Sequence, residues 1–228
     1  MFTHIHHEFP TCVRKDTPIG RFYQTPEGKS YPSVTTVTGF GSEESLRAWK
    51  ERVGEEEARR ISAQAAARGT ALHSLAESHL LNNGLVYQNP FDAQLFKSIL
   101  PELNKIDNIH ALESKLYSDH LGLAGTVDCV AEYDGKLAVI DFKTSSKVKK
   151  KEWIEGYFMQ CTAYAIMFEE RTGIPVPRTV IIMAVEGETE PLVFQEKRDN
   201  YVPQLFKKIE AYQDWAWASA NGLLNPSY

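Results

Sequence analysis

The chain has 228 residues, 43% hydrophobic and 24% charged, with a formal net charge of −5. That length and composition belong to a globular protein with a substantial core, and no apolar run approaches the roughly 18 residues of a membrane span. The N-terminus lacks the apolar stretch of a secretory signal, and Cys12, Cys129 and Cys161 are too few and badly spaced for a disulfide framework or a zinc site, so an intracellular protein is expected.

His4, His6 and His7 read as incidental surface histidines. Residues 21–34, RFYQTPEGKSYPSV, read as a small hairpin turning at Pro26-Glu27-Gly28. Ser33, Thr35 or Thr36 then caps a short helix. From Ser42 to Leu81 the pattern is helical, in two helices broken near Gly54 and stopped by Asn82-Asn83-Gly84. A further helix is expected over Asp92 to Asn104, and a strand over Ala111 to Ser118. Beyond a second hairpin, Lys151 to Arg171 is an amphipathic helix ended by Thr172-Gly173. Arg178–Val185 and Leu192–Lys197 are strands, and Asn200–Ala220 is a final helix. The order predicts an α/β fold, a central mixed sheet flanked by helices, with an N-terminal helical region. We expect one domain over 1–228, its hairpin and helices in 1–108 and its sheet core in 109–228.

The second hairpin, GTVDCVAEYDGKLAVIDFKTSSK over 125–147, is the most informative stretch. Asp134-Gly135 between two β-rich runs signals a two-residue type I′ turn. That turn sets Tyr133 against Lys136, Val130 against Val139, and Asp128 against Asp141. Opposed residues share a face with Cβ atoms roughly 5 Å apart. Lys143, two residues beyond Asp141, lies on the same face. Two carboxylates beside apolar neighbours repel unless a cation sits between them. Such a pair, holding a divalent metal beside a lysine, is the equipment of phosphodiester hydrolysis. Cys129 is expected on the opposite face as a small core residue.

Other residues are less decided by spacing. His73 and Glu77 are one helical turn apart. Spacing favours a histidine bonded to its glutamate over a metal ligand. Gly69 either permits close approach or is merely tolerated. Gln160 and Tyr164 share a helix face and could point back at the acids or be ordinary polar residues. Glu113 is either an acid of the site or a cross-strand partner of Lys115. The run Lys143, Lys147, Lys149, Lys150, Lys151 is either a phosphate-contacting surface or a solvated loop. No P-loop or Rossmann loop is present, and the spacings give no argument for a Ser-His-Asp arrangement.

Read in order, ARGTALHSLAE, GTVDCVAEYDG, AVIDFKTS and QCTAY resemble the motif series of the PD-(D/E)XK nuclease superfamily, in its RecB-like exonuclease branch. YPSVTTV, LRAWKER, ALESKLY and DCVAEYDGKLAVIDFKTSSK further resemble the mitochondrial genome maintenance exonuclease family. The resemblance runs from about Tyr31 to Tyr212 and lacks a mitochondrial presequence, which points to a bacterial or phage relative. It implies a restriction-endonuclease-like core and a single-stranded DNA exonuclease dependent on Mg²⁺ or Mn²⁺. It makes Asp128, Asp141, the Phe142 carbonyl and His73 metal ligands. Lys143 would orient the attacking water, while Gln160 and Tyr164 would position the site and strand. Ser33, Val34 and Thr35 would hold a phosphate, beside Lys147. The partner is single-stranded DNA or DNA with single-stranded ends, and the chain is expected to be a monomer. Two other classes fit the sequence less well: a catalytically silent DNA-binding module on the same fold, and a di-metal oxidase using His73 and Glu77. Loss of an acid or the lysine would mark the first, and a second matching helix pair the other. Neither is found.

Overall fold

The structure, a computed structural model, describes residues 1–221. Among the described residues, eight strands form two sheets. A small antiparallel sheet comprises β1 (Val13–Thr17), β2 (Gly20–Gln24) and β3 (Ser30–Pro32). The large sheet has the order β4 (Ile106–Ser118), β5 (Leu123–Tyr133), β6 (Lys136–Ser145), β7 (Arg178–Val185), β8 (Leu192–Lys197). It is mixed because β6 and β7 run parallel, joined by a crossover through α5 (Glu155–Thr172). A single turn of 3-10 helix at Lys151–Trp153 precedes α5, where the sequence suggested one continuous helix.

Asp134 and Gly135 both take positive φ, 50° and 68°, which builds the type I′ turn of the central hairpin. The register follows: Tyr133 faces Lys136 and Val130 faces Val139. Alternation along these strands divides the core in two. Val130 and Val139 pack toward α5, with α1 (Val34–Thr38) and α6 (Val202–Ala220). Cys129, Ile140 and Phe142 pack on the other face against Leu72 and Leu75 of α3 (Glu55–Leu80) and Phe96 of α4 (Pro90–Leu103).

Helix α3 is half a core helix. Its C-terminal part buries Leu72, Leu75, Ala76 and Leu80, while nothing between residues 59 and 70 is buried. Helix α2 (Glu43–Val53) buries nothing and meets α3 at Gly54. Alanine, glutamate and arginine carry this exposed arm by intrinsic propensity. The N-terminus is not loose surface. Ile5 N–H donates to the Ile109 carbonyl and Ile109 N–H to the Thr3 carbonyl, both at 2.8 Å, covering the edge of β4. His4 Nε2 reaches the Leu80 carbonyl at 2.9 Å, and His7 stacks on His110 with their ring nitrogens 2.9 Å apart. His4 and His7 are therefore tethers rather than incidental histidines.

Candidate active site

Asp128 is the point where the sheet ladders fail. The β5–β6 pairing stops at Cys129–Ile140, one rung short of Asp128–Asp141. The reason is local: Asp128 Oδ2 accepts the N–H of Phe142 at 2.9 Å, so a side chain takes the place of a backbone rung. On its other side, β5 pairs with β4 through Cys129–Leu112 and Val127–Ser114, with the rung between them missing. The residue at that gap is Glu113, whose φ is 44°, a left-handed conformation uncommon for a non-glycine residue inside a strand. The carboxylates of Glu113 and Asp128 and the imidazole of His73 lie with their ligand atoms within 4.8 Å of one another.

His73 is delivered by α3 from above the sheet. Its Nε2 lies 2.7 Å from the Phe142 carbonyl oxygen, and its Nδ1 lies 3.4 Å from Glu113 Oε1 and 3.7 Å from Asp128 Oδ2. Both ring nitrogens thus face acceptors, which suits a doubly protonated ring. Burial opposes that charge, but the bond to Glu113 and the fields of Asp128 and Asp141 outweigh it and raise the histidine from 6.5 to about 9. The spacing-based pairing with Glu77 is not formed, although Glu77 lines the same cleft as His73. Lys115 instead donates to the Cys12 carbonyl at 3.0 Å, leaving Glu113 to the acid cluster.

Asp141 is 2% exposed. Its Oδ1 accepts from Lys143 Nζ at 2.5 Å, while its Oδ2 is buried with no partner. Burial lifts this carboxyl to about 6; Lys143 pulls it down and Asp128 pushes it further up. Burial works against the Lys143 charge too, but Asp141 and Asp128 overcome it and hold the ammonium above its ordinary value. An orphaned carboxylate oxygen in a protein interior is costly, and a cation is the natural group to satisfy it. The donors here are carboxylates, a backbone carbonyl and one imidazole, which fit a hard divalent ion such as Mg²⁺ or Mn²⁺. Asp128, Asp141, the Phe142 carbonyl and His73 could hold it, with Glu113 beside them.

A cleft of about 510 Å³ opens over this cluster. Gln160 and Tyr164 of α5 line it, so the face they share does point at the acids. The glycine of the Gly-x-x-Asp segment has a clear cause: a Cβ at Gly125 would sit 2.6 Å from Tyr164 Oη. Gly69 also lines the cleft, where an added Cβ would meet nothing within 4 Å, so its role is not close packing. Ser33 caps α1 by accepting the Thr36 N–H at 3.0 Å, and Ser33 and Thr35 reach the cleft. The Val34 side chain is fully buried and leaves only its backbone for a ligand. Lys147 is exposed and does not line the cleft. The lysine run divides: Lys151 pairs with Glu196, Lys150 lies over Trp153, and Lys143 and Lys149 flank the Tyr157 ring at 5.1 and 5.9 Å. The sequence reading missed Arg14, Arg21 and Tyr23, which form part of the cleft wall.

Comparison with known proteins agrees with this geometry. The chain is 33% identical over 129 residues to human mitochondrial genome maintenance exonuclease 1, covering 52% of this chain and 37% of the relative. The mouse relative of that name is 37% identical over 133 residues, covering 53% and 38%. The Xenopus tropicalis one is 34% identical over 150 residues, covering 61% and 43%. The chain thus spans about four-tenths of the length of the curated relatives it matches. Among solved structures, a Eubacterium rectale protein shares the fold with a TM-score of 0.51 at 16% identity, over 71% of this chain and 69% of that one. The family model for the PD-(D/E)XK nuclease superfamily matches residues 46–228, which hold the mixed sheet, His73 and the whole acid–lysine cluster; the chain belongs to this superfamily.

Proposed function

We propose that the chain is a divalent-metal-dependent exonuclease acting on single-stranded DNA. The observation that carries this reading is Asp141, buried with one oxygen on Lys143 and the other unpartnered, beside Asp128, His73 and the Phe142 carbonyl. A Mg²⁺ or Mn²⁺ ion held by Asp128, Asp141, the Phe142 carbonyl and His73 would offset phosphate charge and make water acidic enough to attack near neutral pH.

The protein's own residues do the rest. Lys143, fixed by Asp141, presents an ammonium that orients the attacking water and meets the charge growing on the phosphate oxygens. The oxygen–phosphorus bond to the departing nucleotide breaks as the water oxygen bonds to phosphorus, and no covalent enzyme intermediate is needed. Gln160 and Tyr164 orient the strand over the acids. The hydroxyls of Ser33 and Thr35 and the Val34 amide hold a neighbouring phosphate, and Lys147 contributes charge further along. His73 favours use of Mn²⁺ beside Mg²⁺. The relatives named mitochondrial genome maintenance exonuclease support exonuclease action in genome maintenance; in this reading a monomer inside a cell or organelle trims DNA ends during replication, repair or recombination.

The test is digestion of end-labelled oligonucleotides, single-stranded and duplex, in Mg²⁺, Mn²⁺ or EDTA. Stepwise shortening of the single strand in either metal, absent in EDTA, is expected. Intact DNA in both metals, or cutting at internal positions only, would contradict the reading.

A further inference from the structure

The cleft has a wall that lies outside the matched family region, and that wall is basic. Arg14 of β1 and Arg21 of β2 line the cleft together with Asp128 and Lys143, although both precede residue 46. Among the described residues lining the cleft, the other cations are His73 and Lys143, and both are already engaged by the acids of the floor. Arg14 and Arg21 are engaged differently. Both turn to one carboxylate, Asp16: Arg14 Nη2 lies 3.0 Å from Asp16 Oδ2, and Arg21 Nε lies 3.3 Å from Asp16 Oδ1. Two guanidiniums therefore share a single anion, so the Arg14–Asp16–Arg21 group carries a net positive charge beside the acids of the floor. The pairing is also wet, with side chains 46%, 38% and 64% exposed for Arg14, Arg21 and Asp16. Exposed pairs of this kind hold weakly and exchange readily.

The backbone beneath them is held firmly. The N–H of Arg21 donates to Thr36 Oγ1 at 3.1 Å, and its carbonyl accepts the Ser33 N–H at 2.7 Å. Ser33 in turn bridges to Ala124 on β5, four residues before Asp128. The arginines thus stand on a hairpin tied to the same strand that carries the floor acid. A guanidinium fork binds phosphate oxygens in bidentate fashion and keeps its charge at any working pH.

We propose that Arg14 and Arg21 form a phosphate subsite that grips the DNA strand away from the cleaved bond, with Asp16 as a stand-in anion that the phosphate displaces. This rests on the nuclease reading of the cleft.

The test uses the full chain and a fluorescein-labelled oligodeoxythymidine, with Ca²⁺ as the metal and the salt concentration varied. The Arg14→Ala/Arg21→Ala variant is expected to bind about tenfold more weakly at low salt. Its log–log salt slope should be shallower by about 1.4, since each lost contact to a single strand removes about 0.7. In Mg²⁺ its defect should appear in KM more than in kcat. Asp16→Asn should bind more tightly than wild type, an outcome that misfolding does not produce. Wild-type affinity and slope in the double variant, or no gain in Asp16→Asn, would overturn the subsite. Failure of the wild type to digest DNA in Mg²⁺ or Mn²⁺ would instead overturn the nuclease reading, and the salt slopes would still judge the arginines.

Discussion

Glu113 is held in a left-handed backbone in the middle of β4, opposite Asp128 and bonded to His73. A non-glycine residue there costs on the order of 1 kcal/mol and persists only where its surroundings fix it. Three acids gathered around one histidine add repulsion. Function and stability should therefore separate at this position. Glu113→Gly is expected to raise the melting temperature in EDTA while weakening Mn²⁺ binding measured by calorimetry; a fall in melting temperature with unchanged metal affinity would show an ordinary packing role. The same cluster makes the metal-free protein sensitive to alkali. His73 is raised to about 9, so its charge contributes stability below its ordinary 6.5 and that contribution is lost as pH rises through about 9. Asp141, raised to about 6, acts in the same direction between about pH 4 and 6. In EDTA the melting temperature should drop between pH 7 and 9.5, by up to about 3 kcal/mol of stability from His73. His73→Ala should flatten that slope, and a slope retained in His73→Ala would assign it elsewhere.

At the level of elements, β5 and α5 fit through a missing side chain. A Cβ at Gly125 would meet Tyr164 Oη at 2.6 Å and Cε1 at 2.9 Å. Gly125→Ala is expected to destabilise the fold by about 1–3 kcal/mol, because tightly packed neighbours give way only with strain. Adding Tyr164→Phe should restore part of that loss in denaturant unfolding; strictly additive penalties would mean the two do not meet. The central hairpin was readable in advance because Asp134-Gly135 fixes its turn and the turn fixes the opposed pairs as far as Cys129–Ile140; at Asp128 a side chain takes the next rung. Other features left no such mark. All of β1 is exposed, so VRKDT has no apolar alternation to announce a strand, and Arg14 went unseen with it. The start of β4 was missed for a different reason. Its register slips between Asp107 and Ala111, and its buried residues fall at Ile106, Ile109 and Ala111, a spacing unlike a regular strand. Glu113's conformation arises from contacts with α3 and β5, and its own neighbours in sequence give no hint of it.

For the whole molecule, net charge and the proposed substrate point in opposite directions. A chain of net charge −5 repels DNA at a distance, so the proposed binding would come from the cleft and from the lysines beside it. Digestion should accordingly slow steeply as salt rises from about 50 to 200 mM, through KM more than kcat. A salt-independent rate would leave phosphate contacts without a role. The layering of the molecule explains how much of the site could be read from the chain. Asp128, Asp141 and Lys143 come from one hairpin, and local register brings them together. His73, Glu113 and the arginines come from α3, β4 and the small sheet, and only packing brings them to the cleft.

The most direct test of the account sets Mn²⁺ binding beside digestion of end-labelled single-stranded DNA for Asp141→Asn and Lys143→Ala. Asp141→Asn should lose both, because it would remove a proposed ligand and Lys143's anchor together. Lys143→Ala should retain Mn²⁺ binding and lose digestion by at least about a hundredfold, as expected for a group that acts on the reacting water and phosphate. Digestion that survives in Asp141→Asn, or that proceeds in EDTA, would contradict the assignment of this cleft as a metal-dependent nuclease centre.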